Sequence, residues 1–312
     1  MLKYIGKRLL WMIPIIIGVS LVVYALISLV PGTPADIILG ANADQAQIDA
    51  MNEAIGYNKP FWIRYFTYMS GVLRLDFGTS YVSSLPVIGE LSIKIPISLM
   101  LAFSAITASL AIGVPLGVLS AVKQYSLLDV IPTSIAMILA AAPSFWIGLM
   151  LMLKFSLEHQ WLPSFGVESL RSYVLPTLTL AACYGATMLR FTRSSMLETI
   201  RQDYIRTARA KGATERVVIW RHALKNALLP VITSAGNTFG ALLGGAIVTE
   251  TLFSLPGLGT FIVNGVKQKD IPVVMGGTIT LAVLFAFVML LVDLAYAFAD
   301  PRIKAKYARK RG

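Results

Sequence analysis

The chain is poor in the residues on which chemistry usually depends. Its 312 positions hold one cysteine, two histidines and only 14% charged residues. The single Cys183 lies in an apolar run, which excludes an intrachain disulfide and a cysteine metal site. No Gly-x-x-x-x-Gly-Lys-Ser/Thr sequence is present, so the chain is not expected to hydrolyse ATP. No His-Glu-x-x-His sequence offers a zinc helix, so neither a catalytic residue nor a metal ligand is assigned.

What the chain has instead is apolar surface. Hydrophobic residues make up 56% of it and the mean hydropathy is +0.71. These values exclude an ordinary soluble domain and predict an all-α, polytopic membrane protein. Residues 9–30 form a charge-free apolar run long enough to span a bilayer. A cleaved signal peptide is the rival reading, because the preceding residues are basic and residues 32–35 are mostly small, but the run exceeds the 7–15 residues typical of a signal core. Further spans are expected at residues 98–121, 130–153 (kinked at Pro143), 173–189, 229–249 and 273–296, six in all. Residues 31–97 form a long mixed segment punctuated by prolines. A short helix is expected over residues 45–54, and the aromatic stretch 60–69 is suited to a membrane interface.

Charge sets the orientation. The net charge is +11. Most basic residues fall at the N-terminus, around Lys123, in the loop 190–228 and in the C-terminal tail. The positive-inside rule places all four in the cytoplasm, with residues 31–97 outside. The charge is therefore read as membrane flanks and not as a nucleic-acid footprint. His159 and His222 then lie on opposite sides and form no metal pair. The expected divisions are 1–30 (N-terminus and first span), 31–97 (outside segment), 98–303 (a core of five spans) and 304–312 (basic tail). Asp293 is the clearest carboxylate inside a span. Such a group costs about 2.5–3.5 kcal/mol on insertion scales, so a basic partner such as Arg302 is expected. So few intramembrane charges argue against a proton-coupled carrier.

The stretch that organises the chain is residues 204–230, its one long polar, basic run. It reads as two short helices hinged at Gly212, which stands at a helix C-terminal cap. Thr214 caps the second helix and Glu215 suits its first turn. Val217, Trp220, Leu224 and Leu228 fall at helical spacing as an apolar stripe. Arg206-Thr207-Ala208-Arg209-Ala210-Lys211-Gly212, followed by residues 221–230 ending in Leu-Pro, resembles the cytoplasmic loop of ABC-importer permeases. The similarity is to the dipeptide, oligopeptide and nickel branch, B-type subunit. Arg206 stands where the general motif has Glu, and the interval from Gly212 to Pro230 is longer. Residues 29–35, 75–81, 250–259 and 269–274, and the Asp300-Pro-Arg-Ile303 sequence, also resemble signatures of that branch. Each has a plainer reading as turn, packing or helix-stop residues.

The resemblance implies a type I ABC-importer permease fold with both termini cytoplasmic, in a bacterial or archaeal inner membrane. It implies as partners a second, homologous permease, two ATP-binding subunits that use ATP and Mg, and an extracytoplasmic substrate-binding protein; this chain binds no cofactor and no nucleic acid, and membrane lipid surrounds it. ATPase coupling is expected at Arg206, Thr207, Ala208, Gly212, Val217, Trp220 and Leu224. Gly236, Asn237, Gly240 and Gly244 mark a small-residue face in the fifth span, suited to packing within the subunit or against the second permease, beside the pathway. The cargo implied is di- or oligopeptides, with glutathione-like compounds or nickel chelates as alternatives. A self-sufficient secondary transporter is the rival from another class, and a membrane enzyme would need a cluster of titratable groups that the sequence lacks.

Overall fold

A computed structural model of the chain describes residues 2–40 and 42–299. The Asp300–Ile303 sequence, Arg302 as partner of Asp293, and the basic tail lie outside the described residues. All regular structure among the described residues is helical, apart from one isolated antiparallel bridge between Thr79 and Pro86. In chain order the helices are α1 (Leu2–Leu29), α2 (Pro34–Leu39), α3 (Gln45–Ala54), α4 (Phe61–Val72), α5 (Val87–Val122), α6 (Leu127–Ala141), α7 (Ser144–Met152), α8 (Val174–Ile200), α9 (Asp203–Ala210), α10 (Glu215–Val217), α11 (Leu224–Gly245), α12 (Ile247–Leu252), α13 (Leu258–Lys267) and α14 (Ile271–Ala299).

Five helical stretches are long and apolar enough to cross a bilayer, and α6 with the helical residues through Glu158 supplies a sixth if that bent pair counts as one span. The expected kink at Pro143 is a break: the two halves meet at 103°. Proline disfavours helical dihedrals in the residue before it. Ala142 is accordingly extended, with ψ 137°, and Pro143 starts α7 as its cap. The second span is longer than its apolar run. At 36 residues α5 measures about 54 Å at 1.5 Å per residue, against a hydrocarbon core of about 30 Å. The fourth also continues past its apolar run to Ile200. The fifth starts earlier, at Leu224, and stops at Gly245. On α1, Leu9, Leu10, Trp11, Ile13, Ile15 and Ile17 are all exposed, as a lipid-facing surface requires.

The chain divides into two compact units, with the division falling inside α5 and inside α14. The first comprises residues 100–254 and the described residues from 287 onward. Within it α6, α7 and α11 pack on α8. Glycine brings α5 against α8. A Cβ at Gly113 would stand 2.6 Å from the Gly185 carbonyl, and one at Gly117 2.6 Å from Thr192 Cβ. Asp129, 3% exposed, accepts two hydrogen bonds from the Arg193 guanidinium at 2.6 and 2.8 Å and one from the Tyr125 backbone N–H at 2.9 Å. This ties the turn before α6 to α8.

The second unit comprises residues 2–99 and 255–286. Tyr24, Tyr65, Phe77, Val87, Leu91, Leu258 and Met275 form its core. Tyr65 of the aromatic stretch is buried and its hydroxyl lies 2.9 Å from Ser20 Oγ on α1, while Trp62 and Phe66 remain exposed. The α2 helix begins with Pro34 after a Thr33 cap, reciprocated by Asp36 in a capping box. The expected short helix over residues 45–54 is α3.

Three signature stretches meet in this unit at Lys269 and Asp270. Lys269 has φ 51° and is 7% exposed. Its Nζ donates to the carbonyls of Val30 (3.0 Å) and Gly32 (2.8 Å), and to that of Pro31. These carbonyls follow the end of α1, where no intrahelical donor reaches them. Gly32 is needed there: its φ is +88°, and a Cβ would lie 3.1 Å from Lys269 Nζ. The next residue, Asp270, accepts from Ser80 Oγ at 2.5 Å and from the Val82 and Val273 backbone N–H groups at 3.3 Å. Residues 29–35, 75–81 and 269–274 therefore act in this unit as packing and capping residues.

Replacing Lys269 by Met leaves three carbonyls without their donor; losing hydrogen bonds to a charged group costs on the order of 1.5–3 kcal/mol each at most. Lys269→Met is expected to insert normally but to open the segment after α1. Limited proteolysis of the full chain in detergent should show new cleavage near residues 31–40. An unchanged digestion pattern would contradict the clamp.

Candidate functional site

The basic stretch folds as the sequence suggests in its first half. Asp203 sits in the first turn of α9 and Arg209 in its last, matching the helix dipole. The Gly212 N–H donates to the Arg209 carbonyl at 2.9 Å and the Ala213 N–H to the Ala208 carbonyl at 3.2 Å. This double closure, with Gly212 at φ +82°, is a Schellman cap. Thr214 starts the second helix in extended conformation, without a side-chain cap bond. Across the turn, Arg209 donates to both Glu215 oxygens at 2.7 and 3.2 Å. The pair is largely exposed, so it fixes the turn more than it stabilises the fold, contributing roughly 0.2–1 kcal/mol.

The second half differs from expectation. Residues Val218–Ala223 form a π-helical segment leading directly into α11. A π segment bonds i to i+5 and so holds about one more residue per turn than an α-helix. The expected stripe Val217–Trp220–Leu224–Leu228 is therefore split. Leu224 is buried and Leu228 half-buried, whereas Val217 is 40% and Trp220 54% exposed. The inward face is Val218, Ala223, Leu224 and Ala227, packed with Ile205 of α9, Met196 of α8 and Val118 and Ala121 of α5. Ile205, fully buried, was not singled out by sequence; one apolar residue in a basic stretch carries no periodic signal.

Of the residues expected to couple, Arg206 and Thr207 are exposed, Ala208 is half-buried against the core, and Gly212 has nothing within 4 Å of a Cβ position. The element thus presents Tyr204, Val217 and Trp220 as exposed apolar side chains amid exposed Arg206, Arg209, Lys211, Arg216 and Arg221, on a backbone anchored from below. Among the described residues no group of three or more His, Cys, Asp or Glu is placed to hold a metal.

The small-residue face of α11 also divides. A Cβ at Gly236 would stand 2.2 Å from Val292 of α14, so this glycine serves packing within the subunit. Gly240 is buried, while Asn237 and Gly244 are exposed, and a Cβ at Gly244 would meet nothing within 4 Å. Four-residue steps drift by about 40° on an α-helix, so the two ends of the stripe face different surroundings.

Comparison with known proteins follows this architecture. A family profile described as "Binding-protein-dependent transport system inner membrane component" matches residues 113–305, and one for the N-terminal part of such membrane components matches residues 1–102. A dipeptide transport system permease protein of Alkalihalophilus pseudofirmus is 40% identical, with 97% of this chain and 100% of that protein covered. A glutathione transport system permease protein of Pectobacterium atrosepticum is 39% identical, over 98% of this chain and all of that protein. Among solved structures, the MetNI methionine ABC transporter in an inward-facing conformation aligns with TM-score 0.58 at 21% identity, covering 68% of this chain and 96% of that one. An amino acid ABC transporter aligns with TM-score 0.55 at 13% identity, covering 67% and 93%. The fold is that of ABC-importer permeases, and the chain belongs to the family of binding-protein-dependent transport system inner membrane components.

Proposed function

We propose that this chain is the B-type permease subunit of an ATP-driven importer of di- or oligopeptides. It pairs with a second, homologous permease. Two ATP-binding subunits, using ATP and Mg, dock beneath the α9–π–α11 element, and an extracytoplasmic binding protein delivers cargo on the side of residues 31–97. Both termini and the loop 201–223 face the cytoplasm, as the distribution of basic residues favours. The observation that carries the reading is the docking element itself. Val217 and Trp220 stand exposed on a backbone whose opposite face is seated on Ile205, Met196 and Val118. Exposed apolar groups on a rigid, basic element suit a groove in a partner protein. A movement imposed there reaches α5, α8 and α11 through a packed apolar core. The mechanism is alternating access, with ATP-driven closure of the ATPase pair rocking the spans. Gly236, Asn237, Gly240 and Gly244 stand on the helix assigned to the pathway and to the second permease. The similarity over full length to a dipeptide permease supports peptides as cargo; that to a glutathione permease supports a glutathione-like peptide as the second reading.

Purification of the tagged chain from its native membrane in mild detergent, followed by mass spectrometry, tests this. A second six-span permease and one or two ATPases are expected to accompany it. A lone chain, from a preparation in which other membrane complexes survive, would favour a secondary transporter.

Trp220→Asp is expected to remove the ATPases from that preparation while shifting the stability of the chain by no more than about 0.5 kcal/mol, as exposed positions allow. ATPases retained at wild-type yield would sink the docking assignment. Gly212→Val forces a β-branched residue into positive φ, at on the order of 1–3 kcal/mol of local strain. It is expected to insert normally yet to lose ATP-driven peptide uptake in proteoliposomes of the assembled complex; wild-type uptake would show that the turn does not couple.

A further inference from the structure

The helix α4 (Phe61–Val72) carries an apolar face that nothing in the chain covers. Its sequence holds one charged residue, Arg64, and five aromatic ones. Tyr65 is buried, with Phe61, Tyr68 and Met69 packed beside it on the core of this unit. Trp62 is 56% and Phe66 62% exposed, with Ile63 exposed next to them. The Trp62 and Phe66 rings stack on one another, centroids 6.0 Å apart and planes inclined by 26°.

The two sides of α4 differ in polarity. At 3.6 residues per turn, Trp62 and Phe66 stand on one flank of the buried line through Tyr65, and Arg64, Thr67 and Tyr68 on the other. The second flank lines a cavity of about 480 Å³ that also carries Lys59, Thr79 and Ser84, all exposed. None of Trp62, Ile63 and Phe66 lines it. One flank therefore meets polar surroundings and the other is apolar, the division expected of a helix lying in the surface of a bilayer.

The contacts of α4 with α1 set its depth. The Tyr24 ring on α1 lies 5.2 Å from the Phe61 ring and 5.5 Å from the Tyr65 ring. The Tyr65 hydroxyl reaches further, donating to the Ile17 carbonyl at 3.3 Å and lying 2.9 Å from Ser20 Oγ. The apolar span on α1 runs from Arg8 to Leu29. Tyr24 precedes its end by five residues, at most about 7.5 Å at 1.5 Å per residue. An interfacial helix buries its apolar face about 5–10 Å into the boundary of headgroups and acyl chains. On α1, Val22, Leu26 and Leu29 are exposed over the same length. The lipid that covers them extends at this level to α4.

We infer that α4 lies in the membrane interface, with Trp62 and Phe66, and Ile63 beside them, in contact with phospholipid of the leaflet in which α1 ends. Tryptophan and other amphipathic rings are favoured at that depth. Tyr65 pins the helix to α1, so the lipid contact is made by a rigid part of the unit. It holds whatever the cargo and whichever side of the membrane faces the cytoplasm.

The test places a nitroxide at one site at a time, using Trp62→Cys, Phe66→Cys or Thr67→Cys in a full chain that also carries Cys183→Ala. Each is purified with the subunits that accompany it and reconstituted into phospholipid vesicles. Power saturation then compares collision with oxygen, which concentrates in the bilayer, and with Ni(II)EDDA, which stays in water. The logarithm of the oxygen-to-nickel accessibility ratio is expected to be positive at positions 62 and 66 and negative at position 67. Negative values at 62 and 66 would overturn the inference and mark a face in water, as a soluble partner would need. Low accessibility to both reagents would overturn it too, and mark a face covered by the second permease or by another copy of the chain. Hydroxyl-radical footprinting of the unaltered chain in lipid nanodiscs decides even if a variant fails to fold. Trp62 should be protected there relative to an unfolded peptide that contains it, and oxidation at the rate of that peptide would sink the lipid contact. Failure on these counts would leave the importer reading standing, since copurification tests that separately.

Discussion

Backbone leaving a helix in or beside a bilayer has little water to take its hydrogen bonds, and this constraint shapes each break in the chain. The carbonyls after α1 are taken by Lys269, more than two hundred residues away in sequence. The N–H at the start of α13 donates to Ser98 Oγ at 2.8 Å. Asp129 receives the Tyr125 N–H at the turn before α6, and the end of α9 closes on itself through Gly212. The breaks after α1 and before α13 are thus stabilised by side chains from distant segments, whereas those at Asp129 and Gly212 close within a few residues.

The α9–π–α11 element follows the same rule of internal satisfaction, with packing in place of polar capping. Its backbone is helical nearly throughout, so few groups are left for solvent. Its inner face is a closely packed cluster of Ile205, Val218, Ala223 and Ala227. Closely packed side chains shift together or not at all. On the proposed reading, this is why an element outside the spans can move them. A loop of the same length with a solvated interior would absorb the displacement in its own dihedrals.

Much of this was legible in the sequence because the signals were local or long. Apolar runs located the spans, although α5 and α8 extend into polar residues that continue the helix without continuing the hydropathy. Gly212 announced its own turn, since positive φ before a new helix start is what glycine permits. The π segment was not legible: i to i+5 bonding has no compositional mark, and the stripe Val217–Trp220–Leu224 was drawn on the assumption of 3.6 residues per turn. Asp129 and Arg193 are sixty-four positions apart, and no spacing rule connects a turn carboxylate to an arginine on a later helix. Lys269 counts in the sequence as one more basic residue; only the fold shows that its charge is directed into carbonyls. The α11 glycines were read as one face, and helical drift divides them between Val292 and open surface.

The signature stretches of the N-terminal unit bear on where recognition resides. Residues 29–35, 75–81 and 269–274 are mutually engaged: Pro31 and Gly32 with Lys269, Ser80 with Asp270. The polar groups so engaged have partners, and a satisfied group has little to offer a ligand beyond exchanging one partner for another.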